Sequence, residues 1–304
     1  MISLSEDQRE EVREILELSS QLQVGRALTT AVEREVFDRF GEQPRSAAEI
    51  AAAGSDEENE EATARLLRLL AATGLIQRTG GGYRAAPACE RYLQSGAMID
   101  LRPMLRVHHR LYDRWGAFGE VLRRGRSAEA SNGSPFFDRL FAEAMEVRAA
   151  LTAEGVAEEL EPVLEGGRFL DLGAGSGGFG RTFIERAGAS SGVLTELPAA
   201  AEVARRHVEA DGMTDVLEVH PMDLRRETDY GSDFDLVFAS ALLRLFGPST
   251  NGRIIRSAYR ALRPGGRLVV FDYFPGEVDP WPTGAAVFHL SMYLVTEKGA
   301  IYTE

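Results

Sequence analysis

The sequence predicts an α/β chain in which a doubly wound parallel sheet follows a mostly helical, winged-helix domain. From residue 167 onward, short apolar strand patterns alternate with amphipathic helical patterns, which is typical of a parallel sheet covered by helices. Before residue 100, three helical patterns precede a hairpin, which is the order of elements in a winged helix. We therefore divide the chain into a winged-helix domain (1–97), a helical middle segment (98–160) and a sheet domain (161–304).

Composition narrows the class of protein. The 304 residues are 44% hydrophobic, which is enough for two domains with real cores. No run of eighteen apolar residues predicts a membrane span, and the first residues lack the basic and apolar regions of a secretory signal. The single cysteine, Cys89, excludes an internal disulfide, fits a reducing cytoplasm and is interpreted as a structural thiol. The net charge of −13 argues against a nucleic-acid partner.

The first domain combines helical patterns with one hairpin. Residues 6–40 carry two helical patterns, and Gly41 is placed to end the second. Ser46 and Glu49 fit a capping box at the start of a short helix. Two short strand patterns flank residues 79–81 as a hairpin. A winged helix can bind DNA or mediate dimerisation; residues 1–100 hold 18 acidic and 11 basic side chains, so we favour dimerisation.

Residues 98–160 are predicted to be helical, with a turn-rich break at 131–135. The last helix of this segment is expected to run from Phe136 to about Leu160 and to end before Pro162. Phe137, Phe141 and Met145 recur every four residues on one face of it. A stripe of this kind more often packs in a core than lines a ligand pocket, so both interpretations stay open.

A glycine-rich loop follows the first strand of the sheet domain. Residues 168–180 form an apolar run ending at Asp171, a tight turn and the start of a helix. Gly173, Gly175 and Gly177 permit positive φ angles and close approach of a ligand to the backbone. The N–H groups at the start of the helix face the same space. The pattern fits both NAD sites and S-adenosylmethionine (SAM) sites.

The expected sheet brings several acidic residues to one edge. Strands are predicted at Arg168–Asp171, Gly192–Glu196, Val216–His220, Phe234–Ser240 and Arg267–Phe274, with helices near 178–187, 198–211 and 250–262. In doubly wound sheets the ligand lies beyond the carboxyl ends of the strands, at the switch point. Asp171, Glu196, Asp223 and the segment after Ser240 follow those ends. We therefore predict that they share one binding site.

The carboxylates favour SAM over NAD. Glu196 can accept hydrogen bonds from both ribose hydroxyls of either cofactor. Asp171 stands two residues before the first glycine, where a carboxylate suits the ammonium group of SAM and is unusual for NAD. Asp223 is placed to accept a hydrogen bond from the adenine amino group, with Met222 or Leu224 against the ring; alternatively, Asp223 caps a helix. No phosphate-binding P-loop or zinc-spaced Cys/His cluster is present, and we predict no metal.

Taken together, these motifs resemble the two-domain small-molecule O-methyltransferases, which include caffeic-acid-type enzymes and bacterial tailoring enzymes of polyketide and antibiotic pathways. The resemblance covers the winged helix, the middle helices and the D-x-G-x-G-x-G loop. It continues in residues 195–198 (TELP), where the family usually has Asp-Leu-Pro, and in residues 262–267 (LRPGGR). It implies a Rossmann-like class I methyltransferase domain, a homodimer formed through the N-terminal domains, and SAM as cofactor with S-adenosylhomocysteine (SAH) as product.

The resemblance also implies roles for individual residues. Those assigned to the cofactor are Asp171, Gly173, Gly175, Gly177, Glu196, Leu197, Met222, Asp223, Leu224 and Ser240. Those assigned to the acceptor substrate are Trp115, Phe137, Phe141, Met145, Arg244, His289 and Met292. The implied activity is methylation of a hydroxyl on a small aromatic natural product.

One departure from the family concerns the general base. The family often places a histidine shortly after the fourth strand, and matching residues 234–246 to that segment puts Arg244 at its position. Arginine stays protonated and is no base at neutral pH. Either the acceptor ionises unaided, or His108, His109 or His289 serves, or the chemistry is hydroxylation, decarboxylation or cyclisation with SAM. Arg244 is then either a partner for a phenolate or carboxylate of the acceptor, or a surface cation.

A second departure lies at the end of the sequence. Family members continue past a segment like residues 297–304 into a helix and a terminal strand pair. Without that pair, the strand holding residues 268–271 has an unpaired apolar edge, and exposed edges of this kind invite aggregation. We expect either that the sequence is truncated or that another segment covers the edge. A third function, a winged-helix regulator with a vestigial SAM domain, is disfavoured by the acidic first domain.

Overall fold

The computed structural model describes residues 4–56, 58–126, 133–274 and 281–302. The chain forms two compact units, Met1–Arg110 and Leu111–Glu304. No helix in the described ranges is long and apolar enough to cross a bilayer. The finer boundaries at residues 97 and 160 stay predictions.

The first unit has the predicted winged-helix order. Its elements are α1 (Glu6–Glu33), α2 (Ala47–Ala52), α3 (Glu60–Ala72), β1 (Ile76–Thr79), β2 (Gly82–Ala85) and α4 (Pro87–Tyr92). The strands β1 and β2 pair antiparallel as the predicted hairpin. The capping box is also confirmed: Ser46 accepts from the Glu49 backbone N–H and the Glu49 side chain accepts from the Ser46 N–H. Cys89 is fully buried in the core of this unit, and burial raises the pKa of its thiol to about 12, as expected of a structural cysteine.

The prediction of two helices in residues 6–40 was wrong. The first 28 of these residues form one helix, α1, which ends at Glu33. Glu35 then takes a left-handed backbone conformation, with φ of 55°, and a 3-10 turn follows at Val36–Arg39. Val36 and Phe37 are buried in this turn. The apolar pattern that includes Val36 and Phe37 therefore reflects their burial in the core, and it does not mark a second helix.

Three helices lead to the sheet: α5 (Arg102–Gly116), α6 (Phe118–Arg124) and α7 (Pro135–Leu164). The break predicted at 131–135 falls partly outside the described residues. Contrary to expectation, α7 continues through Pro162 to Leu164. A proline in the last turn removes one hydrogen bond, and the buried side chains of Leu160 and Leu164 hold the turn on the core.

The second unit contains the predicted five-stranded parallel sheet. Its strands are β3 (Arg168–Leu172), β4 (Ser191–Glu196), β5 (Leu217–Pro221), β6 (Phe234–Ser240) and β7 (Leu262–Phe271), and its further helices are α8 (Gly178–Arg186), α9 (Pro198–Ala210), α10 (Pro248–Ala261) and α11 (Thr283–Val295). The strand order is β5-β4-β3-β6-β7, and every neighbouring pair is parallel. The order reverses between β3 and β6, so a ligand is expected beyond these two strands.

Helices cover both faces of the sheet. One core joins α7 and α8 to one face, where the Phe183 ring packs edge-on against the rings of Phe169 and Phe238. A second core packs α10 against the other face. The strand β7 starts five residues earlier than predicted and ends at Phe271. It forms the outer edge of the described sheet, where its residues 268–271 are only half-buried.

Candidate functional site

The glycine loop lies at the switch point, directly after β3. Gly173, Gly175 and Gly177 all have positive φ angles, of 72°, 61° and 82°. Gly175 has a second reason to be glycine, because a Cβ there would lie 3.0 Å from the Cβ of Met145 on α7. The loop is therefore shaped both by its own backbone and by the close packing of α7 against it.

Asp171 has a buried carboxyl group that lacks hydrogen-bond partners in the described part of the chain. Its side chain is 1% exposed at the end of β3, and neither carboxylate oxygen has a hydrogen-bond partner among the described residues. Burial, reinforced by the nearby Glu196, raises the pKa of this carboxyl to about 8. A buried polar group without a partner is costly. A cationic ligand group at this point would supply the missing hydrogen bonds and charge, which is what the ammonium of SAM offers.

Glu196 ends the neighbouring strand β4 and faces the same loop. Its Oε1 accepts from the Gly175 N–H at 3.2 Å, and its Oε2 accepts from the Leu197 N–H at 2.5 Å. Burial raises the pKa of Glu196, and the two N–H groups oppose the rise. Each oxygen still has a free lone pair, so the carboxylate can accept from two hydroxyls of a ribose. Asp171 and Glu196 together fit SAM.

Asp223 follows β5 and is engaged with its own turn. Its carboxylate accepts from the Arg225 backbone N–H at 3.0 Å and from the Arg225 guanidinium at 2.8 and 2.9 Å. These contacts hold the pKa of Asp223 below its usual range. Met222 is half-buried and Leu224 is buried beside it. Residues 224–226 form a turn, and no helix begins directly after Asp223 in the described structure, so the helix-cap alternative was wrong. The adenine contact stays a prediction.

Arg244 is buried, so the surface-cation alternative was wrong. It lies in a 3-10 turn, Leu243–Leu245, after β6, and its side chain is 7% exposed. Its Nη1 donates to Asp272 Oδ1 at 3.3 Å, and its guanidinium stacks over the Phe288 ring at 4.5 Å. Burial lowers the pKa of Arg244 to about 10, partly offset by Asp272, so the group is still a cation at neutral pH.

The other predicted acceptor residues lie on α5, α7 and α11. On α7, Phe137 stacks on Phe141 with ring centroids 6.1 Å apart, and both rings are half-buried, as is Met145. On α11, Met292 is buried, while His289 packs its ring against Trp281 and has a buried Nδ1 without a partner in the described residues. Trp115, at the end of α5, packs edge-on against Phe118. Their contact with an acceptor stays a prediction.

Comparison with known proteins gives the family. Residues 16–95 match a model described as an O-methyltransferase dimerisation domain, and residues 169–266 match a model described as a methyltransferase domain. The chain belongs to the two-domain, SAM-dependent small-molecule O-methyltransferases. The winged-helix unit and the glycine-loop unit are therefore the two expected parts of one enzyme.

Three relatives of this O-methyltransferase are Streptomyces proteins. The tetracenomycin polyketide synthesis 8-O-methyl transferase TcmO of Streptomyces glaucescens is 25% identical over 95% of this chain and 87% of its own. The 3-hydroxy-5-methyl-1-naphthoate 3-O-methyltransferase of Streptomyces sahachiroi is 26% identical, with 95% and 86% covered. Aclacinomycin 10-hydroxylase RdmB of Streptomyces purpurascens is 31% identical over 50% and 43%. A solved O-methyltransferase family structure from Burkholderia thailandensis superposes with a TM-score of 0.81 at 25% identity, covering 99% and 90%.

Three further residues lie at the candidate site and were not predicted from the sequence. Asp272, the partner of Arg244, directly follows β7, so the rule that found Asp171 and Glu196 could have found it. Glu146 on α7 accepts hydrogen bonds from the Ser176 hydroxyl and from Arg181, and so ties α7 to the glycine loop.

The third missed residue is Arg148, which stands three positions after Met145 on the same face of α7. Its Nε lies 3.4 Å from Ser240 Oγ, and its Nη2 lies 3.5 Å from the Phe271 carbonyl oxygen. Only its helical spacing from the Phe137, Phe141 and Met145 stripe could have pointed to it.

A cavity of about 320 Å³ opens beside the Arg244–Asp272 pair of this O-methyltransferase. Its other walls come from α10, β7, the segment after β7 and the segment after α11, and they include Ile255, Phe274 and Tyr302. None of the predicted cofactor residues lines it. The candidate cofactor site is therefore distinguished by its unpartnered carboxylate and its backbone geometry, and not by the size of a cavity.

Proposed function

We propose that this O-methyltransferase methylates a phenolic hydroxyl of a small aromatic natural product, and that the acceptor ionises without a general base. The observation that carries the proposal is the buried Arg244–Asp272 pair at the position where the family has its histidine. A guanidinium paired with a carboxylate accepts no proton at neutral pH. A phenol that is already ionised needs only to be held in line with the methyl group, and such positioning supplies much of a rate enhancement.

Bound SAM supplies an electrophilic methyl group on a sulfonium, and the residues of the chain hold it in place. Asp171 would bind the ammonium group and Glu196 the ribose hydroxyls. Asp223, with Met222 and Leu224, would contact the adenine. The half-buried Phe141 and Met145 on α7 would cover the reacting centre and exclude water from it. The contacts of Glu196 and Met145 with Gly175, and the unpartnered carboxylate of Asp171, support these roles.

An enzyme without a general base depends on the acidity of its acceptor. We expect methyl-labelled SAM to label phenols of low pKa faster than phenols of high pKa, because only the ionised form reacts. His289→Gln should then change the rate by less than about threefold, since general base catalysis typically contributes 100-fold or more. The measurement is label transfer to a series of substituted phenols with matched size. A loss of more than about 100-fold in His289→Gln would instead make His289 the base.

A second reaction class has specific support. Arg244 replaces the usual base, and one relative that covers half of this chain is named as a hydroxylase. In that case SAM binds but the acceptor is hydroxylated, decarboxylated or cyclised. The labelling experiment separates the two classes: methyl transfer places the label in the acceptor product, whereas the alternative leaves all label in the cofactor.

We also propose that the enzyme is a homodimer joined through α1. The first family model, a dimerisation domain, starts at residue 16. Ile15, Leu18 and Leu22 are 60–68% exposed and recur at spacings of three and four residues, which places them on one face of α1. Exposed apolar stripes on a helix mark interaction surfaces. The cytoplasmic location, predicted from the cysteine content, stays a prediction.

The second prediction tests that stripe. The double variant Leu18→Glu, Leu22→Glu should be monomeric at micromolar concentration, because carboxylates buried against the same face of a second copy repel and lose their water. Sedimentation velocity measures the change. Leu151→Glu is the matched control, since Leu151 is an equally exposed leucine on α7 and should leave the dimer intact. A double variant that stays dimeric would place the interface elsewhere.

A further inference from the structure

Two guanidinium groups and, among the described residues, a single carboxylate lie together beyond β6 and β7. Arg244 is paired with Asp272, whereas Arg148 has no carboxylate oxygen within 4.0 Å among the described residues. Arg148 is half-buried and stacks over the Phe271 ring at 4.9 Å. Its burial lowers the pKa of its guanidinium, and Asp272 offsets only part of that effect. The cluster therefore carries one positive charge in excess.

The hydrogen bonds of Arg148 are weak. The distances to Ser240 Oγ and the Phe271 carbonyl, 3.4 and 3.5 Å, exceed the 2.7–2.9 Å or so typical of charged donors. Neither acceptor carries a charge. The guanidinium is thus held in place by stacking and by long contacts, with most of its five N–H groups available to a ligand.

The position of Arg148 connects it to the acceptor side of the site. It shares one face of α7 with Phe141 and Met145, and Met145 packs on the glycine loop at Gly175. One helical turn separates Met145 from Arg148. A ligand that lies along this face against the reacting centre would therefore bring its far end to the guanidinium.

We propose that Arg148 binds a carboxylate of the acceptor, which makes the preferred substrate a hydroxylated aromatic carboxylic acid. This inference rests on the proposed function. A planar guanidinium matches a carboxylate with two parallel hydrogen bonds, a fit that a phenolate does not offer. Arg244 and Asp272 then act as a neutral pair behind Arg148, and the acceptor carboxylate balances the excess charge.

The carboxylate of SAM itself is the competing source of the same chemistry. In an amino acid the ammonium and the carboxylate are attached to one carbon, so Asp171 fixes both near the end of β3. Arg148 contacts Ser240 on β6, which is the strand next to β3, and Phe271 on β7, which lies two strands or about 10 Å from β3. The experiment below therefore includes a ligand that distinguishes the carboxylate of the cofactor from that of the acceptor.

Calorimetry measures how tightly arylcarboxylates and their carboxamides bind to the full-length enzyme saturated with SAH. The probes are hydroxylated one- to three-ring arylcarboxylates, each compared with its carboxamide, for example 3-hydroxy-2-naphthoate and 3-hydroxy-2-naphthamide. The wild type should bind the best acid about 10- to 100-fold more tightly than its amide, as expected of a charged hydrogen-bonded pair. Arg148→Met should abolish this preference, and Arg148→Lys should keep part of it. Arg186→Met is the matched control, because Arg186 is an exposed arginine at the end of α8.

Three results would overturn the proposal. The first is a wild type that binds no arylcarboxylate better than its amide. The second is an Arg148→Met variant that keeps the preference. The third is an Arg148→Met variant that loses affinity for SAH but not for 5′-methylthioadenosine, which lacks the amino-acid carboxylate; this result would assign Arg148 to the cofactor. The proposed function itself is tested by two separate measurements, SAH binding to the wild type and methyl transfer from SAM to phenols. Absence of either one would count against the proposed function.

Discussion

Replacing Asp171 by asparagine is expected to weaken the binding of SAM and SAH by about 100-fold and, in the same variant, to stabilise the protein without cofactor at alkaline pH. The loss of affinity follows because an amide keeps the size of the carboxylate but removes the charge that would hold the ammonium. The gain in stability follows because the wild-type carboxylate is 1% exposed and has no hydrogen-bond partner in the described structure.

The pH dependence of this effect has a definite sign. The pKa of Asp171 is raised to about 8 in the folded protein, against about 3.9 in an unfolded chain. Between these values the folded state holds the proton and the unfolded state has lost it, so the free energy of unfolding falls as pH rises from about 4 to 8. Above pH 8 the wild type bears the full cost of a buried charge. Asp171→Asn should remove this slope and gain about 2–4 kcal/mol above pH 8.

Two measurements check the Asp171 prediction. Urea unfolding at a series of pH values gives the stability, with Asp215→Asn as the control, since Asp215 is exposed. Calorimetry in buffers of different ionisation enthalpy should show that wild-type protein releases a proton on binding SAH at pH 7, because the ammonium draws Asp171 into its charged form. A variant with unchanged SAH affinity would remove Asp171 from the cofactor site.

The fold could be predicted from the sequence largely because its signals are local and periodic. Each of the five strands of the sheet was found, since every one is an apolar run bounded by polar or glycine-rich turns. The errors occurred where packing overrides pattern. Val36 and Phe37 kept a helical spacing although the helix had ended, and Pro162 did not end α7 because the buried Leu160 and Leu164 hold its last turn on the core.

Only the part of the candidate site next to the glycine loop could be predicted from the sequence. Asp171 and Glu196 end strands that meet at one sheet edge, so topology alone brings them together. Arg148 and Glu146 come from a helix far away in sequence, and their contacts depend on how α7 is rotated against the loop. Asp272 was within reach of the same topological rule. The pairing of Arg244 with Asp272 was not, because the sequence does not show which way a side chain in a 3-10 turn points.

Replacing Arg244 by methionine is expected to destabilise the second unit by about 3–5 kcal/mol, because the variant leaves Asp272 as a buried charge without its partner. Arg244 and Asp272 are 7% and 6% exposed, so water cannot take over the solvation of the remaining carboxylate. Both tryptophans, Trp115 and Trp281, lie in this unit, so their fluorescence during urea unfolding reports the unfolding of this unit.

The double variant Arg244→Met, Asp272→Leu separates the charge from the packing. Removing both members of the pair should restore most of the lost stability, since an apolar pair of similar volume replaces a buried ion pair at little cost. Methylation of an acidic phenol should also survive in it, because neither residue takes a proton in the proposed reaction. If Arg244→Met alone cost less than about 1 kcal/mol, the pair would have to be solvated. If the double variant folded well but lost methyl transfer entirely, Arg244 would act on the acceptor directly, and the proposal of a neutral supporting pair would be wrong.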